Sequence, residues 1–298
     1  MFPIKDENPT SRRAVVTVLL ILANVAVFVL LQQTQTGTEV VDTDDGPVAL
    51  SAELSFNLET AAIPCEVVEG RPLSFEEVRA TFEAGDDQAC DEGGGSDAPL
   101  FAGKQVWLAV LVSMFLHGGW LHLGGNMLFL WVFGNNIEDH LGVLRYLGFY
   151  LLGGVVASAA HIAVQPASTV PVVGASGAIA AVMGAYLVWF PEAPVRTVIV
   201  FFFILFRDIP AKWLLGFWFV TQFFTGANSG VAWMAHVGGF VFGVAVGLLV
   251  RASRSARQAL WRRRYADAPG SWDPTGGIGR GPYSSPPGDR RFGGRPWN

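Results

Sequence analysis

The stretch 231–250 reads VAWMAHVGGFVFGVAVGLLV. It carries no Asp, Glu, Lys or Arg over twenty residues, enough for a helix to cross the ~30 Å hydrocarbon core of a bilayer. Gly239, Gly243 and Gly247 recur every four positions, so they share one helix face and let a second helix approach closely. Directly after the stretch come Arg251, Arg254, Arg257, Arg262, Arg263 and Arg264. The positive-inside bias places such a cluster in the cytoplasm. One residue is out of place: an imidazole, His236, in a run that hydrocarbon would otherwise accept whole. Polar groups at that position persist where partners or a water-filled cavity stabilise them.

Working outward, the chain from 105 to 250 is almost wholly apolar, and its short turns predict helices near 121–137, 143–164, 172–190, 210–225 and 231–250. A further uncharged run of 18 residues, 14–31, follows Arg12 and Arg13. It exceeds a secretory h-region and lacks a small-residue cleavage site, so it reads as a retained first helix. Six spans with both termini cytoplasmic satisfy the charge rule and the parity together. The segment 195–206, VRTVIVFFFILF, is too short to span and reads as interfacial or as an extension of a neighbouring helix. The composition agrees: 51% hydrophobic and 15% charged residues, against roughly 25% charged in soluble domains. The expectation is an all-α polytopic membrane protein. Its segments are a cytoplasmic 1–13, the first helix 14–31, a polar loop 32–104, a membrane core 105–250 and a basic Gly/Pro-rich tail 251–298, whose last part, 265–298, cannot bury enough surface to fold.

The net charge of −5 argues against a nucleic-acid partner. It is also unevenly spread, for 32–104 holds 16 Asp or Glu against Arg71, Arg79 and Lys104. With the Arg12/Arg13 end inside, this loop faces outward; the reading places it outside a bacterial plasma membrane. Both cysteines lie in it, and an oxidising exterior favours a Cys65–Cys90 disulfide closing about 26 residues, worth on the order of 3 kcal/mol in the chain-entropy model. The alternative is two free thiols in a flexible loop.

Three polar sets interrupt the apolar region: His117-Gly-Gly-Trp-Leu-His122-Leu-Gly-Gly-Asn126, Gly174-Ala175-Ser176-Gly177, and His236-Val-Gly-Gly239 with Gly243. Singly each has an ordinary structural reading. A transmembrane Ser most often bonds its own helix, and a lone His or Asn often joins helices. Together they sit on alternate helices that run the same way, at similar depth below the outer surface. His122 and Asn126 are i,i+4 on one face. Gly239 and Gly243 on one helix, and Gly174, Gly177 and Gly184 on the other, predict close approach of Ser176 and His236. An imidazole beside a hydroxyl makes a nucleophile and can then protonate a leaving amine, while His122 and Asn126 could steady an oxyanion. No G-x-S-x-G elbow or H-E-x-x-H zinc motif is present. His117 and His122, five apart, do not align on a helix face, so no metal site is expected.

These motifs, H-x-x-x-x-H-L-x-x-N at 117–126, G-x-S-G at 174–177 and A-H-x-x-G-x-x-x-G at 235–243, resemble the rhomboid family of intramembrane serine proteases. The resemblance implies a six-helix bundle with Ser176 as nucleophile and His236 as its base. It also implies that His122, Asn126 and the Ser176 backbone N–H form the oxyanion hole. The implied partners are transmembrane protein substrates in the lipid bilayer, with no metal or organic cofactor; oligomeric state stays open. Two departures stand out. Leu108 and Ala109 occupy positions where many members carry Trp-Arg, with Trp107 one place off, and Ala180 stands where some members stack an aromatic on the catalytic imidazole. What orients His236 is therefore not visible in the sequence. Two alternatives compete: a catalytically silent relative that binds transmembrane clients, which should have lost Ser176 or His236, and a small transporter, which should carry ionisable residues deep in several spans.

Overall fold

The computed structural model describes residues 1–43, 46–90, 98–200, 204–225 and 232–265. The chain divides into two units, Met1–Gly247 and Leu248–Asn298, and the candidate site lies in the first. The tail from 266 on lies outside the described residues.

The chain is mostly helical. The first helix, α1 (Val15–Val27), continues as one wider turn through Phe28–Gln32. Later come α5 (Val106–Val112), a tight turn at Ser113–Phe115, α6 (Trp120–Leu141), α7 (Val143–Val164), α8 (Ser176–Trp189), α9 (Ala211–Gln222) and α10 (Trp233–Tyr265). Among the described residues three segments are long and apolar enough to cross a membrane: Val15–Gln32, Val143–Val164 and Trp233–Ala256. The pair Val106–Phe115 and Trp120–Leu141, bent by 79°, makes up to four. Of the six expected spans, α8 and α9 fall short by length. At 1.5 Å per residue the 14 residues of α8 reach about 21 Å. Its residues Gly177 to Tyr186 are all buried, so it is wrapped by other helices and has no lipid-facing surface to match to the bilayer. The surroundings are apolar outward: Leu19, Leu22, Leu121, Leu144 and Trp213 are exposed, while Thr17, Asn24, Asn136 and Glu138 are buried. That inversion suits a hydrocarbon solvent.

Two expectations need correction: the chain is not all-α, because two small antiparallel sheets accompany the helices, and the segment 195–206 reads differently. The segment 195–206 is not an extension of a neighbouring helix. Its described residues lie in two antiparallel strands, β4 (Pro194–Val200) and β5 (Ile204–Pro210), and β1 (Phe2–Asp6) from the N-terminal segment adds to β4 as a third antiparallel strand. A short run of β-branched and aromatic residues suits either structure by periodicity; the distant β1 supplies the backbone partners that decide for a sheet. The same end is stitched by carboxylates. Glu138 of α6 accepts from the Val16 and Thr17 N–H groups at 2.9 and 2.8 Å and from the Thr17 hydroxyl at 2.8 Å. It caps α1, whose own preceding residue Ala14 has no side chain able to do so. Asp6 accepts from Asn136 Nδ2 and, at 2.9 Å, from the Tyr186 hydroxyl.

The acidic loop is largely built structure. β2 (Thr38–Thr43) and β3 (Gly46–Ser51) form an antiparallel hairpin, followed by α2 (Ala52–Thr60), α3 (Pro64–Glu69) and α4 (Phe75–Phe82). Ser74 and Glu77 make a reciprocal capping box on α4. Leu58, Ile63, Leu73 and Val78 form a small core with Cys65, which is bonded to Cys90. Beneath it the buried pair Glu66–Lys104 meets at 2.5 Å, and Lys104 Nζ also donates to the Leu58 carbonyl at 2.6 Å. The missing Trp-Arg pair is explained by α5: Trp107 and Leu108 face outward, while Val106, Ala109 and Val110 are buried with Ala62 and Val67, against Val155 and Ile162. Apolar packing does the work there.

Candidate active site

The loop from α7 to α8 sets where the serine stands. Val172 pairs with Ala62 across an isolated bridge, its N–H donating to the Ala62 carbonyl at 2.8 Å. The Gly174 N–H donates to the Ser113 carbonyl at 2.9 Å. Gly174 has φ +132°, a region that side chains disfavour, and a Cβ there would lie 2.9 Å from Cε1 and Nε2 of His122. Gly174 therefore serves the loop and the His122 ring, not helix packing as its spacing suggests. The helix begins only after it, at Ser176 rather than near 172. Ser176 thus belongs to a first turn whose N–H groups have no acceptor within the helix and which lies at the positive end of the helix dipole.

His236 arrives on α10 by backbone contact. A Cβ on Gly239 would run into the Gly177 carbonyl oxygen, one on Gly243 into that of Ala181, and one on Gly184 into that of Phe240. Gly247 packs on Val188, and its carbonyl accepts from Trp189 Nε1 at 2.9 Å. With α8 and α10 in such contact, His236 Nε2 lies 2.8 Å from Ser176 Oγ.

On the far side of the ring, Nδ1 lies 2.7 Å from Gln222 Oε1 on α9. Trp218, one turn earlier, has its ring 5.9 Å from the imidazole. Ala180 is fully buried, and the aromatic neighbour comes from α9 instead. Sequence reasoning missed Gln222 and Trp218. A signal existed for the first: Gln222 is the one amide side chain in the apolar run 210–225.

His122 Nδ1 accepts from the Gly118 N–H at 3.3 Å. The ring proton is then on Nε2, the atom beside Gly174. Asn126 follows one turn later on the same face and is buried, and its Nδ2 has no hydrogen-bond partner among the described residues. Buried donors are seldom left so without a use. His117 stands behind this group. Its backbone N–H and carbonyl pair with the Gln32 amide at 2.9 and 3.1 Å, and its ring lies edge-on to His122 at 5.2 Å. Gln32, also unforeseen, thereby ties the end of the first helix to the turn that carries the histidines.

One group of metal-ligand atoms gathers among the described residues, Cys65, Glu77 and Cys90. The two sulfurs are bonded to each other and Glu77 is held by Arg71 at 2.8 and 2.9 Å, so the group offers no thiolate to a cation.

Comparison with known proteins places the chain in a family. A family model described as the rhomboid domain matches residues 104–253. The chain is 28% identical over 174 residues to Rhomboid protein 1, mitochondrial, of Saccharomyces cerevisiae, covering 55% of this chain and 47% of that one. It is 31% identical over 189 residues to Presenilin-associated rhomboid-like protein A, mitochondrial, of Danio rerio, covering 60% and 48%. A shorter match, 40% over 81 residues, covering 27% and 15%, is to Rhomboid protease GluP of Bacillus subtilis. The chain thus spans about half or less of the length of these relatives. Since two of the three are mitochondrial by name, similarity lends no support to a bacterial plasma membrane. The match to the rhomboid domain covers half of the chain, and it is a multi-pass membrane protein that belongs to the rhomboid family.

Proposed function

We propose that the chain is an intramembrane serine endopeptidase that hydrolyses peptide bonds in or near transmembrane segments of protein substrates. The observation that carries this reading is the 2.8 Å contact between Ser176 Oγ and His236 Nε2. His236 takes the serine proton as Oγ attacks the scissile carbonyl. The oxyanion is met by His122 Nε2–H, Asn126 Nδ2–H and the Ser176 N–H at the start of α8. Collapse expels the amine, which His236 protonates, leaving an acyl ester on Ser176. A water then gives its proton to His236, attacks the ester and frees the second product. No step calls for a metal or organic cofactor.

Ser176, His122 and His236 are half-buried rather than sealed, as a site open to both substrate and water requires. A helical substrate must unwind locally to present its carbonyl, so helix-weakening residues such as Gly favour cleavage. Six membrane crossings, both termini cytoplasmic and the 32–104 loop outside fit this reading. The short α8 then begins beneath the outer surface and carries Ser176 there. At the other end Glu138 caps α1, and Asp6 joins β1 to Asn136 and Tyr186, structural roles that a transport path would not need.

Labelling by a fluorophosphonate probe tests the nucleophile. The wild type should label and Ser176→Ala should not; labelling that survives Ser176→Ala would show that another group attacks.

A further inference from the structure

Gln222 is buried at 7% exposure in the last turn of α9, and the sequence offers no reason for an amide there. Its Nε2 donates to the Trp218 carbonyl at 3.0 Å and lies 3.3 Å from the Thr221 hydroxyl. These contacts fix which way the amide faces. Were it reversed, Oε1 would oppose the Trp218 carbonyl, acceptor against acceptor. Oε1 is therefore the atom presented to the imidazole, 2.7 Å from Nδ1. An acceptor at Nδ1 selects the tautomer with the proton on Nδ1. The lone pair of Nε2 then faces Ser176 Oγ. The opposite tautomer would set a lone pair against Oε1 and offer the serine a donor instead of a base.

We propose that Gln222 is a positioning residue that holds His236 in the tautomer able to deprotonate Ser176, making the working unit a Ser-His-Gln relay of three helices. The proposal rests on the serine-protease reading above. A neutral amide suits its surroundings. The groups that contact or act electrostatically on His236 are Ser176 from α8, Gln222 and Trp218 from α9, and the titratable His122 from α6 and His161 from α7; among the described residues no carboxylate is one of them. An anion in that position would carry the desolvation cost of a buried charge, whereas the amide orients the ring without it.

The test uses the full chain in detergent and in liposomes with a single-span substrate. Gln222→Met keeps length and removes the acceptor; Gln222→Glu keeps the acceptor. Gln222→Met should lower kcat by about 10- to 100-fold with KM little changed, and Gln222→Glu should recover part of that loss. In Gln222→Glu the acid limb of kcat should also lie at higher pH than in Gln222→Met, because a carboxylate favours the imidazolium. Ring ¹⁵N spectra of the wild type, with the His236 signal assigned by its loss in His236→Ala, should show Nδ1 as the protonated nitrogen; this readout does not depend on turnover. Equal kcat for Gln222→Met and wild type, equal slowing by both substitutions, or a neutral His236 protonated on Nε2 would overturn the proposal. A wild type that cleaves while Gln222 proves indifferent removes only this inference, whereas a wild type that neither cleaves nor labels removes the protease reading itself.

Discussion

Asn126 Nδ2, buried without a partner, and His122 Nε2, set beside Gly174, stand ready for a negative charge that exists only during reaction. Asn126→Ala should therefore lower kcat by about 100-fold or more while leaving KM nearly unchanged; steady-state cleavage kinetics check this, and an equal rise in KM would assign Asn126 to substrate binding instead. Gly174→Ala should cost activity twice over, by straining a φ of +132° and by pushing the His122 ring, and serine-probe labelling of the folded variant should be lost. At this scale the sequence was informative because polar groups in apolar runs are expensive enough to stand out. Ser176, His236, His122 and Asn126 were found that way. Gln222 obeys the same rule, yet its role shows only when α9 is seen to face α10, a relation that no local pattern encodes. The position of Ser176 within its helix was also illegible, because Gly174 ends the loop through a conformation imposed by Ser113 and His122 from elsewhere in the chain.

Among the elements, the loop 32–104 acts as a clamp on the segment that presents the serine. The Ala62 N–H donates to the Ser113 hydroxyl at 2.6 Å, the Cys65 N–H to the Ser168 carbonyl at 2.9 Å, and the Thr81 and Thr169 hydroxyls meet at 2.6 Å. Loosening the loop should thus be felt at Ser176. Glu66→Ala leaves Lys104 charged and buried, a change of about 3–5 kcal/mol, and should lower both the melting temperature and the cleavage rate. Unchanged rates in a folded Glu66→Ala variant would separate the loop from the site. The three-stranded sheet at the other end carries a pH dependence of its own. Burial raises the Asp6 carboxyl to about 6, and it is protonated in the unfolded chain only below about 4. Stability from this group is present below pH 4 and is lost as pH rises through 6. Melting curves of Asp6→Asn should lack that part of the wild-type decline. The capped helix α4 follows from Ser74 and Glu77 as written, but the three-stranded sheet could not be read locally, since β1 pairs with β4 across nearly 200 positions.

For the whole molecule, the exposed apolar side chains of the helices belong to a membrane, and the positive-inside bias predicts its orientation. Membrane-impermeant maleimide applied to intact cells after reduction should reach Cys65 or Cys90, and protection of both would reverse the orientation. The alternating-helix spacing of the three polar sets made the bundle legible from sequence, whereas the count of crossings was less so, because α8 is shielded and short. The measurement that bears on activity most directly is cleavage of a single-span substrate by the purified chain in liposomes, with wild type beside Ser176→Ala and His236→Ala and the products identified by mass. Two fragments, cut in or beside the transmembrane segment, are expected from the wild type alone. Equal cleavage by all three proteins would contradict catalysis by Ser176 and His236.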